Sequence, residues 1–160
     1  TVLVTHDHDE AFAMADRIAV LNQGRLEQLD TPEMMYHMPA TPFVADFVGQ
    51  ADFIPGTVSQ GMVHTELGEF PDTIECKDGT NVVVMIRPDD IHLVPTEGAR
   101  SCVLSRQFHG SENLYTVSLP SGQIVHSSQG SMSVYQAGTT VELRVLATHT
   151  VLFRQEKSSG

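Results

Sequence analysis

The hydrophobic pattern of the chain changes its period at about Ala51, and this change constrains the fold more than any other feature. Beyond that point, apolar and polar residues alternate, as in the Val-Glu-Leu-Arg-Val run at residues 141–145 and again at residues 115–119. Such alternation is typical of half-buried β-strands. Asn81–Ile86 is apolar on both faces, which predicts a central strand, and Asp78-Gly79 before it is a turn signal. The second part of the chain is therefore predicted to be a many-stranded barrel or sandwich.

The first 49 residues have an α/β pattern instead. Thr1–Thr5 is a short, β-branched run that predicts a buried parallel strand. Asp7 follows it, and Glu10 stands three positions later, a spacing that allows a capping box at the start of a helix. The apolar face of this helix would consist of Ala11, Met14 and Ala15.

A hairpin and two short helices are predicted next. Ile18–Leu21 and Arg25–Leu29 read as two strands joined by an Asn-Gln-Gly turn. Thr31-Pro32 and Thr41-Pro42 each combine an N-cap residue with proline at the first helical position, and Pro39 ends the first of the two helices. The apolar side of the second helix would be formed by Phe43, Val44 and Phe47.

Composition excludes some classes of function. The net charge is −11, from twenty acidic and nine basic residues, and the basic residues form no stripe that could neutralise phosphates. We therefore expect no nucleic-acid partner. No apolar run reaches the ~18 residues that a membrane span needs. Cys76 and Cys102 have no Cys-x-x-Cys spacing, so we interpret them as small core residues in a reducing, cytosolic setting.

Residues 1–11, Thr-Val-Leu-Val-Thr-His-Asp-His-Asp-Glu-Ala, resemble the H-loop of ABC-transporter ATPases, in which a strand delivers a histidine to the γ-phosphate of ATP. The resemblance implies that His6 is this switch histidine and that it is catalytic in the full-length parent only. An imidazole there would hydrogen-bond the γ-phosphate and hold the attacking water. The resemblance continues almost without a break through segments 15–21, 24–28, 31–33 and 39–49.

The β half resembles the TOBE domain, the regulatory domain with an OB-like barrel that is appended to importer ATPases. Residues 87–91, Arg-Pro-Asp-Asp-Ile, are similar to its Arg-Pro-Glu-Asp-Ile segment, and Gly110-Ser111 followed by Tyr115 is similar to its hairpin motif. Residues 138–143 are similar to its closing strand. The family's proline-acid segment is replaced at residues 147–150 by Ala-Thr-His-Thr. We interpret Arg87 as a hydrogen-bonded corner residue at a strand end and not as a ligand-binding group.

Together these resemblances imply a domain organisation. Residues 1–49 would be the C-terminal remnant of an ABC nucleotide-binding domain, residues 50–157 the TOBE domain, and residues 158–160 a tail. The fold class would be mainly β, an OB-like barrel preceded by a truncated α/β remnant. The opening residues read like the middle of a domain, so we expect a longer parent protein.

The sequence contains no Gly-x-x-x-x-Gly-Lys-Ser/Thr motif to cradle phosphates. We therefore expect ATP and Mg²⁺ to be cofactors of the full-length parent, while this chain binds neither a cofactor nor a metal and is inactive alone. The resemblance implies a homodimer, transmembrane permease subunits as partners, and a cytoplasmic position on the inner face of the membrane. A small regulatory ligand is a further expected partner.

The residues that join the two parts favour one solute. Gln50–Gly56 is similar to the Ala-Asn-Phe-Leu-Pro segment of ferric-iron importer ATPases, and spermidine/putrescine and sulfate ATPases have near relatives of it. The segment favours iron, but the solute, the regulatory ligand and the permease partner stay open at this point.

Two other functions are compatible with parts of the sequence. The β barrel by itself could bind a small oxyanion or another regulatory ligand. A zinc hydrolase is the second alternative, because His6, His8 and Asp9 follow a His-x-His spacing. A full zinc pattern would need Asp and His where Glu10 and Ala11 stand, and the other histidines are spread singly, so His8 is interpreted as a water-facing residue of the first helical turn.

Overall fold

The protein, seen in a computed structural model that describes residues 2–147 and 150–155, is mainly β, as the sequence predicts. The predicted tail 158–160 and part of the 147–150 segment lie outside the described residues. Contacts within the chain divide it into two compact units, Thr1–Gln50 and Ala51–Gly160.

The first unit contains three short helices and one antiparallel hairpin. In chain order they are α1 His8–Met14, β1 Ile18–Asn22, β2 Arg25–Asp30, α2 Pro32–His37 and α3 Pro42–Val48. Thr31 and Thr41 are the N-caps of α2 and α3, and each hydroxyl accepts the N–H three residues on, at 3.3 and 3.2 Å. Both predicted helix starts are confirmed, since the hydroxyl satisfies an N–H that the helix leaves free.

The strand predicted at the start of this unit is wrong for the residues described. Residues 2–5 have no secondary structure, and Val2 and Val4 are almost fully exposed. A parallel strand is held by neighbouring strands and by apolar cover on both faces, whereas the described part of this unit offers only the β1–β2 hairpin. The capping box is half formed: Asp7 accepts the N–H of Glu10 at 3.0 Å, but the N–H of Asp7 bonds the Thr5 hydroxyl.

A small core consisting of Val20, Met35, Val44 and Val48 holds the first unit together. Its composition corrects two predicted helix faces. On α1, the side chain of Met14 is exposed and takes no part in this core, whereas Phe12 packs against it. On α3 the buried residues are Val44, Ala45 and Val48, while Phe43 and Phe47 keep about two-fifths of their surface exposed.

The second unit consists of two five-stranded antiparallel sheets. The strands are β3 Asp52–Ser59, β4 Met62–Thr65, β5 Gly68–Pro71, β6 Asn81–Ile86, β7 Ile91–Pro95, β8 Ser101–Phe108, β9 Glu112–Ser118, β10 Ile124–Gly130, β11 Thr140–Val145 and β12 Val151–Arg154. One sheet has the order β10-β9-β8-β11-β7 and the other β12-β6-β3-β4-β5. The predicted strand at residues 81–86 is confirmed as an interior strand, because β12 and β3 flank it.

In the sheet β10-β9-β8-β11-β7, side-chain hydrogen bonds connect the two end strands, as in a partly closed barrel. The hydroxyl of Ser127 and the amide Nε2 of Gln129, both on β10, donate to the carbonyl of Ile91 at the start of β7, at 2.6 and 2.9 Å. These bonds join the two end strands of the sheet and satisfy polar groups that are buried. The core between the sheets is aliphatic apart from Phe70 and Tyr115. Both cysteines are free thiols, and Cys76 packs against this core.

Candidate functional site

His6 is exposed and lies in the coil between residues 2–5 and the N-cap residue Asp7 of α1. His8 is the first residue of α1 and is half-buried, with its ring 4.6 Å from the ring of Phe47. The prediction that His8 simply faces water is therefore wrong, because the ring of Phe47 on α3 covers part of the His8 side chain. The role of His6 stays a prediction that follows from the surrounding motif.

The described residues hold no group of three or more His, Cys, Asp or Glu side chains close enough to bind a metal ion. Zinc sites need three or four such ligands converging on one point. In the part of the chain that the structure covers, His6, His8 and Asp9 therefore do not form such a group.

The Arg-Pro-Asp-Asp-Ile segment forms the corner between β6 and β7. Arg87 is buried, and residues 88–90 form a single 3-10 turn after it. The carboxylate of Asp90 accepts the N–H of Arg87 at 3.2 Å, and the carbonyl of Asp90 accepts the N–H of Leu146 at 2.8 Å. The corner therefore ties the β6–β7 connection to the end of β11, which agrees with a structural role for this segment.

Tyr115 holds the segment 131–135 against the body of the second unit. Its ring is fully buried, its hydroxyl donates to the carbonyl of Ser133 at 2.6 Å, and the same oxygen accepts the N–H of Tyr135 at 3.0 Å. Asn113, two residues earlier on β9, donates from Nδ2 to the carbonyls of Ser131 and Ser133, at 3.0 Å each. The tyrosine of the predicted hairpin motif is thus an anchor for a loop that is distant in sequence.

Three polar contacts bridge the two sheets, and sequence reasoning identified none of them. Asp52 on β3 binds His126 on β10 through both the backbone N–H and the imidazole. Gln123 donates from Nε2 to the carbonyl of Phe53 at 3.0 Å. Glu66 accepts both the N–H and the hydroxyl of the turn residue Ser121. The partners are 55 to 74 residues apart in sequence, so no local pattern could have revealed them.

The second unit also has an open, largely polar cavity of about 420 Å³ over strands β3, β4 and β6. Its lining includes Thr57, His64, Glu66, Asn81 and Gln155. The Thr57 hydroxyl donates to Oδ1 of Asn81 at 3.2 Å, and His64 pairs with Glu69 at 3.1 Å. The cavity offers hydrogen-bonding groups of both kinds to a small polar molecule. Separately, none of the helices in the described ranges is long and apolar enough to span a membrane.

Comparison with known families agrees with the motifs of the β half. Residues 84–153, which include the Arg87 corner, Tyr115 and the closing strand, match the TOBE domain family. The matched segment lies within the second unit. The chain also matches the C-terminal regions of ABC importer ATP-binding subunits, so the resemblance seen in the sequence is confirmed.

The relatives that this chain matches are importer subunits for several solutes. The sulfate/thiosulfate import ATP-binding protein CysA of Xanthomonas campestris is 45% identical over 91 residues, 57% of this chain and 26% of the relative. The Fe(3+) ions import ATP-binding protein FbpC 2 of Rhizobium meliloti is 46% identical over 96 residues, 57% of this chain and 24% of the relative. The spermidine/putrescine import ATP-binding protein PotA of Pseudomonas aeruginosa is 35% identical over 161 residues, 88% of this chain and 44% of the relative. The chain spans less than half the length of these relatives.

Among solved structures, the cytoplasmic molybdate-binding protein ModG with molybdate bound has a TM-score of 0.52 and 16% identity, over 63% of this chain and 94% of that chain. At this identity the likeness shows a shared fold alone. The expectation of a TOBE, OB-like fold is therefore confirmed, and the ligand of ModG says nothing by itself about a ligand here.

Proposed function

We propose that this chain is the C-terminal part of the ATP-hydrolysing subunit of a bacterial ABC importer. The observation that carries the proposal is the succession, in one chain, of the H-loop series in residues 1–49 and the TOBE domain match at residues 84–153. In this assignment the first unit completes the nucleotide-binding domain, and the second unit has a regulatory and dimer-forming role.

His6 would be the residue of this chain that acts in hydrolysis. The γ-phosphate of ATP, with Mg²⁺, supplies the electrophile in the full-length protein, and the imidazole would hydrogen-bond it and hold the attacking water. The exposure of His6 and its position directly before an N-cap leave the ring accessible for such a contact. The amides and the lysine of a P-loop, which the 160 residues do not contain, would have to come from elsewhere in the parent.

The parent would act as a homodimer on the inner face of the cell membrane, in contact with transmembrane permease subunits. We propose ferric iron as the solute, because residues 50–56 are similar to the corresponding segment of ferric-iron importer ATPases. The iron importer subunit of Rhizobium meliloti is among the relatives, although the sulfate and polyamine subunits are similarly related.

The experiment is uptake of radiolabelled ferric iron, sulfate and putrescine by the source bacterium with and without the gene. Loss of iron uptake alone is expected. Loss of sulfate or putrescine uptake instead would keep the importer assignment and overturn iron, while unchanged uptake of all three would contradict the assignment to these importers.

A second candidate function is the binding of a small regulatory ligand, for example an oxyanion, by the second unit. The open polar cavity beside His64 and Asn81 favours it, because this is a surface of the unit with both hydrogen-bond donors and acceptors. Titration with molybdate, tungstate, phosphate and citrate, followed by calorimetry, tests it. Saturable binding that Asn81→Ala abolishes would support the cavity, and no heat with any of the four would reject these ligands.

A further inference from the structure

The backbone on both sides of His6 is held by local hydrogen bonds. The hydroxyl of Thr5 accepts the N–H of Asp7 at 3.0 Å, a bond that encloses His6. The carboxylate of Asp7 in turn accepts the N–H of Glu10 at 3.0 Å, and its carbonyl accepts the N–H of Ala11 at 3.2 Å. His6 is therefore connected directly, through Asp7, to the first turn of α1.

The side chain of His6 has no comparable restraint. It is exposed, and within residues 2–147 and 150–155 its imidazole has no hydrogen bond, ion pair or ring contact. A ring that has to reach a phosphate keeps its nitrogens open, so its placement depends on the backbone that carries it. Among residues 2–7, Thr5 alone is partly buried, which agrees with a fixed position for the residue that precedes the histidine.

The two side-chain bonds need no distant part of the chain. They span two and three positions, and they are present although residues 2–5 have no secondary structure. Threonine and aspartate side chains commonly accept backbone N–H groups two or three residues further on, in turns and at helix N-caps. The same geometry is therefore available in a longer parent, whatever segments surround residues 2–5 there.

We propose that Thr5 and Asp7 are positioning residues for His6, and that their side chains set where the imidazole meets the γ-phosphate of ATP. The inference rests on the catalytic role of His6 under Proposed function. A hydrogen-bonding group that is placed before the reaction stabilises the transition state without reorganisation. A displacement of about 1 Å is enough to cost on the order of 10²-fold in rate. Neither residue has to contact ATP, because both act through the backbone of His6.

A purely structural role is the alternative, since loss of an N-cap weakens a helix whatever residue precedes it. The two roles differ in what they require of the histidine. A positioning residue affects turnover only while His6 is present, whereas a cap stabilises α1 with or without the imidazole. Thr31 is a matched case of the structural role: it caps α2, its hydroxyl accepts the N–H of Met34 at 3.3 Å, and it lies outside the H-loop series of residues 1–11.

The experiment is steady-state ATP hydrolysis by the full-length parent, with kcat and KM for ATP measured separately. Thr5→Val removes the hydroxyl and keeps the shape of the side chain, and Asp7→Ala removes the cap. Thr5→Ser and Asp7→Asn retain an oxygen that can accept the same N–H. Thr31→Val is the control for the loss of a cap hydroxyl. Thr5→Val and Asp7→Ala are each combined with His6→Ala as well, and thermal unfolding shows which variants are folded.

We expect kcat to fall about tenfold or more in Thr5→Val and Asp7→Ala, with KM within about twofold of the wild-type value, because the loss falls on the transition state. Thr5→Ser and Asp7→Asn should recover most of the turnover, and Thr31→Val should keep it. Added to His6→Ala, neither substitution should lower kcat further, since substitutions that act through one group are not additive.

Three results would overturn the positioning role and leave the catalytic role of His6 standing. The first is near-normal kcat in Thr5→Val and Asp7→Ala while His6→Ala is impaired. The second is an undiminished further loss of kcat when either substitution is added to His6→Ala. The third is an equal fall of kcat in Thr31→Val, which would reduce the effect to the stability of the first unit. Near-normal turnover of His6→Ala itself would overturn both the role of His6 and this inference.

Discussion

The carboxylate of Asp52 on β3 accepts the backbone N–H of His126 on β10 at 2.6 Å and pairs with the imidazole Nδ1 of the same residue at 2.9 Å. One buried side chain thus connects the two sheets of the second unit through two atoms of a residue 74 positions away. The contact joins the two sheets at this point, together with the contacts of Gln123 and Glu66 described above.

Asp52→Ala should therefore lower the free energy of unfolding of the second unit by about 1–3 kcal/mol, because it leaves the N–H of His126 without its acceptor in a half-buried site. The measurement is urea unfolding. Glu69→Ala is the control: it removes the exposed partner of His64 and should change stability by less than about 0.5 kcal/mol. Equal effects of the two substitutions would contradict the bridging role of Asp52.

Tyr115→Phe should release the segment 131–135. The substitution keeps the buried ring and removes the oxygen that bonds Ser133 and Tyr135, so we expect a loss of about 1–3 kcal/mol. Hydrogen exchange should become faster at the amide of Tyr135. Tyr135→Phe, on the ring that lies 5.3 Å from that of Tyr115, is the control and should leave this exchange largely unchanged.

Gly56→Ala should destabilise the β3–β4 pair. A Cβ at Gly56 would come within 2.6 Å of Cγ1 of Val63 and 3.0 Å of the carbonyl of His64, so buried Val63 would have to move. Overpacking of this kind typically costs about 1–3 kcal/mol. Gly130→Ala is a matched control in another strand, with nothing near the added Cβ and no left-handed backbone, and thermal unfolding should show it near neutral.

The 160-residue chain should bind no Mg-ATP. A P-loop supplies the backbone amides and the lysine that hold the phosphates, and the sequence contains no such motif. Calorimetry at millimolar nucleotide is the measurement, and a saturable isotherm would contradict the prediction.

In the full-length parent, His6→Ala should reduce ATP turnover about 10²- to 10³-fold and leave nucleotide affinity nearly unchanged, since the imidazole acts on the transition state. His8→Ala is the control, because its ring packs against Phe47 and the H-loop resemblance gives it no catalytic role. Near-normal turnover of the His6→Ala enzyme would contradict the catalytic role that the H-loop resemblance assigns to His6.

Much of the local structure follows from short segments of the sequence. The Thr-Pro pairs define the starts of α2 and α3 because the hydroxyl cap and the fixed proline backbone act within one turn. The alternation at residues 115–119 and 141–145 predicted β9 and β11, because a period of two places alternate side chains on one face of a sheet. The motifs at Arg87 and Tyr115 predicted a TOBE-like fold, and the segment that matches the TOBE domain family includes both residues.

How these elements meet depends on contacts between segments that are distant in sequence, so no single segment predicts it. Residues 2–5 have the composition of a buried strand, but a strand needs partners, and none pairs with them in the part of the chain that is described. Asp52 and His126 read as isolated polar residues in the sequence, and the packing of the two sheets makes them neighbours. The same holds for Tyr115 and Ser133, which a hydrogen bond joins across 18 residues of chain.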